Sequence, residues 1–175
     1  MNTGTQVFPI VGSDGVSATS PYGADAHLAS LARVYCAVHH GVEGVKWTYD
    51  TALALLTHLL HRNSVLSFAA LEKQRIVGAF FADIIPRADG NHLTGAEIFV
   101  HPGSQGRGVG TKLSIAMFEA ARTHFNVKVC DFNFTHEHAR TRDWYVRLSM
   151  RVAEGITPLS GDLDEALIRL YRHHN

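Results

Sequence analysis

The sequence predicts an α+β domain, with a mixed and mostly antiparallel sheet flanked by helices. Three observations carry that expectation. Apolar residues recur at helical spacing in the first third of the chain, and three aliphatic and aromatic stretches separated by polar turns follow in the middle. After them comes a succession of strand, glycine-rich turn, helix and strand. A length of 175 residues is that of one domain. The 46% hydrophobic content is that of a chain with a core. The expected organisation is a tail or accessory strand over 1–15, then a single domain over 16–175.

Asp25 is a suitable N-cap, and Leu28, Leu31, Tyr35 and Val38 follow on one helical face. Leu53, Leu56, Leu59 and Leu60 repeat the pattern over 49–61, with Thr48 as its cap. The period then changes. Residues 65–71 and 76–85 read as antiparallel strands around a polar turn at 72–75, and 94–100 reads as a third strand after a turn at 86–91. A glycine-rich turn at 103–110 leads into a helix in which Leu113, Met117 and Ala121 share a face, ending near Phe125. A strand at 127–134, a helix at 138–148 and two closing strands at 151–156 and 165–172 complete the layout.

Charge excludes some classes of partner. Lys and Arg number 16 against 16 Asp and Glu, so no global cationic field is available to hold a nucleic acid or an anionic membrane. The 12 histidines make charge sensitive to pH near neutrality. Cys36 and Cys130 are too few for a disulfide scaffold, and a reducing, cytoplasmic setting is expected. The start of the chain lacks the positive segment of a secretory signal. The longest apolar run, 76–82, stops at Asp83, far short of the ~20 residues of a membrane span. His136 and His138 lack the spacing of a helical ligand pair, so no metal is expected. Cys130 on an apolar strand reads as a packing residue rather than a nucleophile.

The segment from Val100 to Leu113 carries the chemistry. A glycine-rich turn between a strand and a helix offers successive backbone N–H groups and the positive helix end to a phosphate. Gly106, Gly108 and Gly110 allow close approach, and Arg107 and Lys112 add charge. The glycine spacing is not that of a dinucleotide-binding turn, and no Gly-Lys-Ser/Thr ending marks an NTP loop. The segment resembles the acyl-CoA loop of the GNAT superfamily of N-acetyltransferases: Gln or Arg, two residues, Gly, one residue, Gly or Ala. Gln105, Gly108 and Gly110 match, Val100 and Pro102 precede as in the family, and Gly110-Thr-Lys-Leu opens the helix. Ile76-Val-Gly-Ala-Phe resembles the family's third strand, and residues 16–26 resemble its first strand turning into helix one.

This resemblance implies that acetyl-CoA is the acyl donor. Its pyrophosphate would lie on the backbone of Gln105, Gly106, Arg107, Gly108, Val109, Gly110 and Thr111. Its pantetheine arm would lie along Ile98, Phe99 and Val100, between two strands that splay apart. Glu97, where some members carry a catalytic carboxylate, is the implied base or a substrate anchor. Asp83 is the second carboxylate, able to bind the amine or to mark a strand end. Tyr145, on the helix after the fifth strand, is the implied acid. The family's Asn, Ala and Gly-Phe around that tyrosine are replaced here by His138, Thr141, Ser149 and Met150. His138 thus stands where an Asn contacts CoA.

The expected function is transfer of an acetyl group to a primary amine of a small molecule such as an aminoglycoside, polyamine or amino-acid derivative. His39, His40, Glu43, Trp47, Tyr49 and the loop at 157–164 would border the acceptor. The alternatives are a non-catalytic acyl-CoA-binding regulator, or an acetyltransferase acting on a protein or on charged tRNA. The cluster Arg140, Arg142, Arg147 and Arg151 favours tRNA, while zero net charge opposes it. A homodimer is compatible with either.

Overall fold

The computed structural model describes residues 4–11, 24–40, 46–62, 65–133, 139–152, 163–164 and 169. In chain order they form β1 (Gln6–Val11), α1 (Ala24–Val38), α2 (Tyr49–Leu60), β2 (Val65–Glu72), β3 (Arg75–Arg87), β4 (Gly90–Val100), a 3₁₀ turn (Pro102–Ser104), α3 (Val109–Phe125), β5 (Val129–Asp131) and α4 (Ala139–Arg147). The strands make one sheet in the order β1-β2-β3-β4-β5. Its first four strands are antiparallel and β5 joins β4 in parallel after the α3 crossover. The chain divides into two compact units, Met1–Asn133, which holds the whole sheet with α1 to α3, and Phe134–Asn175, which holds α4.

Side-chain alternation along the strands builds a core on each face of the sheet. On one face Leu31, Tyr35, Leu56 and Leu59 of α1 and α2 pack on Ala79, Phe81 and Phe99. On the other, Val109, Leu113, Met117 and Ala121 of α3 pack on Leu66, Phe80 and Leu93. β3 is covered on both sides, which is why its sequence reads as a continuous apolar run. Burying a side chain of the size of Leu113 stabilises by about 2–3 kcal/mol. α2 starts at a reciprocal cap. Thr51 N–H donates to Thr48 Oγ1 (3.2 Å), and Thr48 N–H donates to Thr51 Oγ1 (3.0 Å).

Local geometry departs from the sequence reading in three places, at the turn after β2, at Asp83 and in the second unit. Of the alternatives for the N-terminal segment, the strand holds: β1 pairs with β2 from Gln6 opposite Leu71. The first strand of the family pattern turning into helix one was expected at 16–26, of which 16–23 lie outside the described residues and 24–26 open α1; the first described strand is β1. The expected turn at 72–75 narrows to Lys73 and Gln74, both at positive φ (46° and 63°), because Glu72 and Arg75 still pair across the hairpin. Asp83 does not end its strand, since β3 runs on to Arg87 and draws β4 back to Gly90. In the second unit, Leu163, Asp164 and Arg169 are helical where a loop and a closing strand were expected. The other expected strand, 151–156, lies outside the described residues beyond Val152.

Candidate active site

β4 changes character at Gly95. Phe81 pairs with Glu97 and Asp83 with Thr94, so one residue of β3 faces two of β4 and a bulge sits at Gly95 and Ala96. Gly95 takes the left-handed conformation this needs, with φ 58°. β5 pairs with β4 from His92 to Thr94. Beyond the bulge, Gly95–Val100 extends past that pairing, and among the described residues no further strand pairs with it on that side.

The direction of the amides on this open stretch follows from its end. His101 N–H donates to Val77 O on β3 (2.7 Å). Amide direction alternates along a strand, so the N–H of Phe99 also turns toward β3, and those of Ile98 and Val100 turn toward the open edge. Val100 O, on that same edge, accepts from Gln105 Nε2 (2.9 Å), which folds the loop back onto the strand. Of the three residues expected along a pantetheine arm, Ile98 and Val100 present amides there. Phe99 turns its ring into the α1 and α2 core instead.

The loop is built from backbone. The 3₁₀ turn closes with Ser104 N–H on His101 O (2.8 Å), and Gly103 N–H donates to His101 Nδ1 (3.1 Å). Gly106 and Gly108 have φ of 72° and 79°, and a Cβ at either would meet nothing within 4 Å, so open space lies over both. Gly108 caps α3 without a side-chain bond. The first amide of α3 bonded within the helix is Lys112 N–H on Gly108 O (3.0 Å). The N–H groups of Val109, Gly110 and Thr111 precede it at the positive end of the helix dipole. This cradle fits a pyrophosphate. Arg107, read from sequence as added positive charge, is turned instead onto Glu72.

Glu97 shares a face with Phe99, toward α1, because Ala96, Ile98 and Val100 pack toward α3. There it accepts a hydrogen bond from the Tyr35 hydroxyl. Burial pushes the Tyr35 phenol well above its ordinary range, and the charge of Glu97 and that hydrogen bond push it further. Tyr35 is held edge-on to Trp47 and Phe99, with ring centroids at 5.1 Å in each pair, and lies 4.4 Å from the His39 ring. Asp83, two residues beyond the partner of Glu97 and on the same face, is buried and paired with Arg62 (2.5 Å). Burial raises its pKa against the opposing charges of Arg62 and His58. Two carboxylates therefore sit diagonally on one face, each with its own partner.

Tyr145 is buried within the second unit, with its ring edge-on to Trp144 at 4.7 Å. The end of α4 fixes its backbone. Met150 N–H donates to Tyr145 O (3.2 Å) and Ser149 N–H to Val146 O (3.0 Å), with Ser149 at φ 70°. This is the helix ending that favours glycine at the left-handed position, and Ser149 occupies it where the family pattern has Gly. His138 lies outside the described residues. Cys130 is half-buried, and burial with the nearby Asp131 charge pushes its thiol up to about 11, which suits the packing role. Among the described residues no group of three or more His, Cys, Asp or Glu is arranged to hold a metal ion. No described helix is long and apolar enough to cross a membrane.

The sequence reading missed Tyr35, Arg62 and Glu72 as partners of the site. Each lies far along the chain from the residue it contacts. Tyr35 carried a signal only as a core position of helix one, and Glu72 as a polar residue beside a turn.

The sequence matches the family model of the acetyltransferase (GNAT) family over residues 30–150. No curated protein matches it. Among solved structures, an integron cassette protein from the mobile metagenome of V. cholerae is 16% identical with a TM-score of 0.66, covering 96% of this chain and 98% of its own. A ribosomal-protein-alanine N-acetyltransferase from Brucella melitensis is 14% identical with a TM-score of 0.66, covering 91% and 99%. The aminoglycoside N-acetyltransferase AAC(6')-Iy in complex with CoA is 18% identical with a TM-score of 0.63, covering 92% and 97%. The fold is therefore that of an acyl-CoA N-acyltransferase, and the chain belongs to the GNAT acetyltransferase family, whose members are acyltransferases.

Proposed function

We propose that this protein transfers an acetyl group from acetyl-CoA to the primary amine of a small cationic or polar molecule, such as an aminoglycoside, a polyamine or an amino-acid derivative. The observation that carries the reading is the continuity of two backbone features. The open amides of Ile98 and Val100 lead directly into the unobstructed cradle of Gly106 to Thr111. The AAC(6')-Iy neighbour, solved with CoA, supports the same donor. The acidic and aromatic face around Glu97, with Tyr35 and Trp47, suits a cationic acceptor, and zero net charge disfavours charged tRNA.

When bound, acetyl-CoA supplies an activated acetyl carbonyl and a thiolate leaving group. Of the amides of Ile98 and Val100, which lie too far apart along the strand to share one oxygen, one donates toward the carbonyl oxygen, where negative charge develops, and the other pairs with the pantetheine arm. Glu97, oriented by Tyr35, takes a proton from the acceptor ammonium directly or through a water, leaving the nitrogen lone pair free to attack. The new C–N bond replaces the C–S bond as the Tyr145 hydroxyl gives its proton to the departing sulfur; the second proton, shed by the nitrogen as it becomes an amide, restores the Tyr145 hydroxyl through solvent, and Glu97 releases the first to solvent. His138 takes the place of the Asn that contacts CoA in the family pattern. The loop amides and the α3 dipole hold the pyrophosphate throughout.

A thiol-release assay with acetyl-CoA against a broad amine library tests this reading. Turnover with small amines and not with peptides or charged tRNA is the expected result. CoA binding without turnover on any amine would favour a regulator, and absence of CoA binding would remove the donor.

A further inference from the structure

One carboxylate outside the reaction centre gathers contacts from two distant parts of the chain. Glu72 ends β2, and its side chain is 17% exposed. Its Oε1 accepts from Thr5 Oγ1 (2.9 Å). Its Oε2 accepts from Ser104 Oγ (3.0 Å) and from the Arg107 guanidinium. Arg107 Nη2 also donates to Ser104 Oγ (3.0 Å), which closes a triangle of Glu72, Ser104 and Arg107. Lys112, on the first turn of α3, donates to the carbonyl of Thr5 (3.3 Å), so the segment before β1 is tied both to Glu72 and to α3.

Ser104 and Arg107 flank Gln105 and Gly106, and Gln105 is itself folded onto Val100 O (2.9 Å). Segment 104–107 is therefore pinned to the end of β2 on one side and to the end of β4 on the other. Segments of this kind on a protein surface are ordinarily mobile, and ordering one during association weakens binding. A loop already held open by its neighbours escapes that cost.

The electrostatics point the same way. Burial alone would push the Glu72 carboxyl up. The hydrogen bonds from Thr5 and Ser104 and the charge and hydrogen bond of Arg107 outweigh it and hold the group below its usual range, so it is ionised at neutral pH. An ionised carboxylate near a pyrophosphate site would repel the ligand unless its charge were taken up, and Arg107 takes it up. In this arrangement Arg107 is spent on Glu72, and the phosphates are left to backbone amides and the helix dipole.

We propose that Glu72 is a positioning residue for the donor loop, holding Ser104 and Arg107 so that the cradle from Gly106 to Thr111 is formed before acetyl-CoA arrives. This inference rests on the acetyl-CoA reading above. It assigns Arg107 a structural partner in place of the phosphate contact its sequence position suggests.

The test compares the wild type with Glu72→Ala and Glu72→Gln by CoA titration calorimetry, steady-state kinetics, and amide hydrogen exchange over 103–111 without ligand, with thermal melts as the check on folding. Glu72→Ala is expected to weaken CoA binding about tenfold, the size of one lost charge-assisted hydrogen bond. The KM for acetyl-CoA should rise in step while kcat stays within about twofold, because the loop touches no reacting atom. Loop amides should exchange faster in the unliganded variant. Glu72→Gln should recover part of the affinity, since its amide oxygen still accepts from Ser104 or Thr5. CoA binding as tight as or tighter than wild type in both variants, or unchanged loop exchange, would overturn the proposal and make Glu72 a charge that opposes the phosphates. If the wild type itself binds no CoA, the donor reading fails, and the exchange measurement still decides whether Glu72 holds the loop.

Discussion

The loop proposed to hold the donor and the face proposed to receive the acceptor meet on the same strand, β4, but are made of different parts of the chain. From Pro102 to Thr111 the loop presents amides, two left-handed glycines and the start of α3. Across the sheet, Glu97 and Asp83 rely on side chains delivered by α1 and by the end of α2, Tyr35 to one and Arg62 to the other. A backbone site is encoded locally, since the glycines that make it lie within a few residues of one another. A side-chain site is encoded by tertiary packing. The difference teaches where a single substitution can remove function without touching the fold, and where it cannot.

The sharpest break between the two regions is Gly108→Val. A Cβ there meets nothing within 4 Å, so the core stays intact, although φ of 79° adds strain of about 1–2 kcal/mol. The same side chain fills the space over the amides, and CoA binding is expected to disappear by calorimetry while the circular dichroism spectrum is retained. Gly78 supplies the contrast on the sheet. A Cβ there would lie 2.6 Å from Phe99 O, so Gly78→Val should damage the fold itself. If Gly108→Val binds CoA normally, the loop is a turn and nothing more.

On the acceptor face the expected effects are smaller and depend on pH. Glu97→Gln should lower kcat by about 10²–10⁴-fold, with the greatest loss at low pH, where more of the amine is protonated. Tyr145→Phe should act on kcat as well, by slowing thiolate departure. Tyr35→Phe keeps the ring packing on Trp47 and Phe99 and removes only the hydroxyl that orients Glu97. Its loss should be a fraction of that of Glu97→Gln. A rise in the amine KM alone for Glu97→Gln would make the carboxylate a substrate anchor, because that pattern reports uniform binding. Effects below about threefold on kcat would exclude both proton-transfer roles.

The contrast also explains what the sequence could tell. The loop residues Gln105, Gly108 and Gly110 were readable because a family pattern spans them within a few positions, with Gly108 also required by its φ of 79°, and α1, α2 and α3 because apolar periodicity is likewise local. The bulge at Gly95 gave no signal, since one glycine within an apolar and polar mixture does not distinguish a bulge from an ordinary strand. Asp83 read as an amine-binding carboxylate or a strand end because its partner Arg62 lies 21 positions away. Arg107 read as added positive charge for the loop because the carboxylate that takes its charge sits 35 positions earlier. The helical state of Arg169 was missed because a short apolar stretch carries little to separate a strand from a helix.

Below the bulge, where β4 and β5 are joined, a histidine holds the strands together. His92 is buried, with Nδ1 at 2.5 Å from Asp131 Oδ2 and Nε2 at 2.9 Å from Asp89 Oδ1. Carboxylates only accept, so both ring nitrogens donate and the imidazolium is the species that fits. The hydrogen bond to Asp131 raises its pKa, burial opposes, and the hydrogen bond and charge of Asp89 add to the rise. A group whose pKa is higher folded than unfolded stabilises in full below the unfolded value, about 6.5 for His. That stabilisation is lost as pH rises through the elevated folded value. Melting temperature should therefore fall from pH 6 into the alkaline range more steeply in the wild type than in His92→Gln. Parallel profiles for the two proteins would deny the imidazolium its role.

The smallest expected effect tests whether local encoding extends to the second unit. Ser149 ends α4 at φ 70°, in the hydrogen-bonding pattern that places the amides of Ser149 and Met150 on Val146 O and Tyr145 O. Glycine adopts that conformation without a Cβ penalty, while serine pays for it, so the backbone asks for the residue that the family pattern has and this chain lacks. Against the gain stands the greater freedom of glycine in the unfolded chain, which returns part of it. The balance for Ser149→Gly is an increase in stability of about 0.5–1 kcal/mol, readable as a shift in the denaturant midpoint at constant slope. Because the hydrogen bonds run between backbone atoms, the substitution should leave Tyr145 where it is and kcat unchanged. A loss of stability would mean that the Ser149 side chain makes a contact worth more than the strain. A change in kcat would mean that the ending of α4 sets the position of the tyrosine, and that this site too is encoded by its side chains.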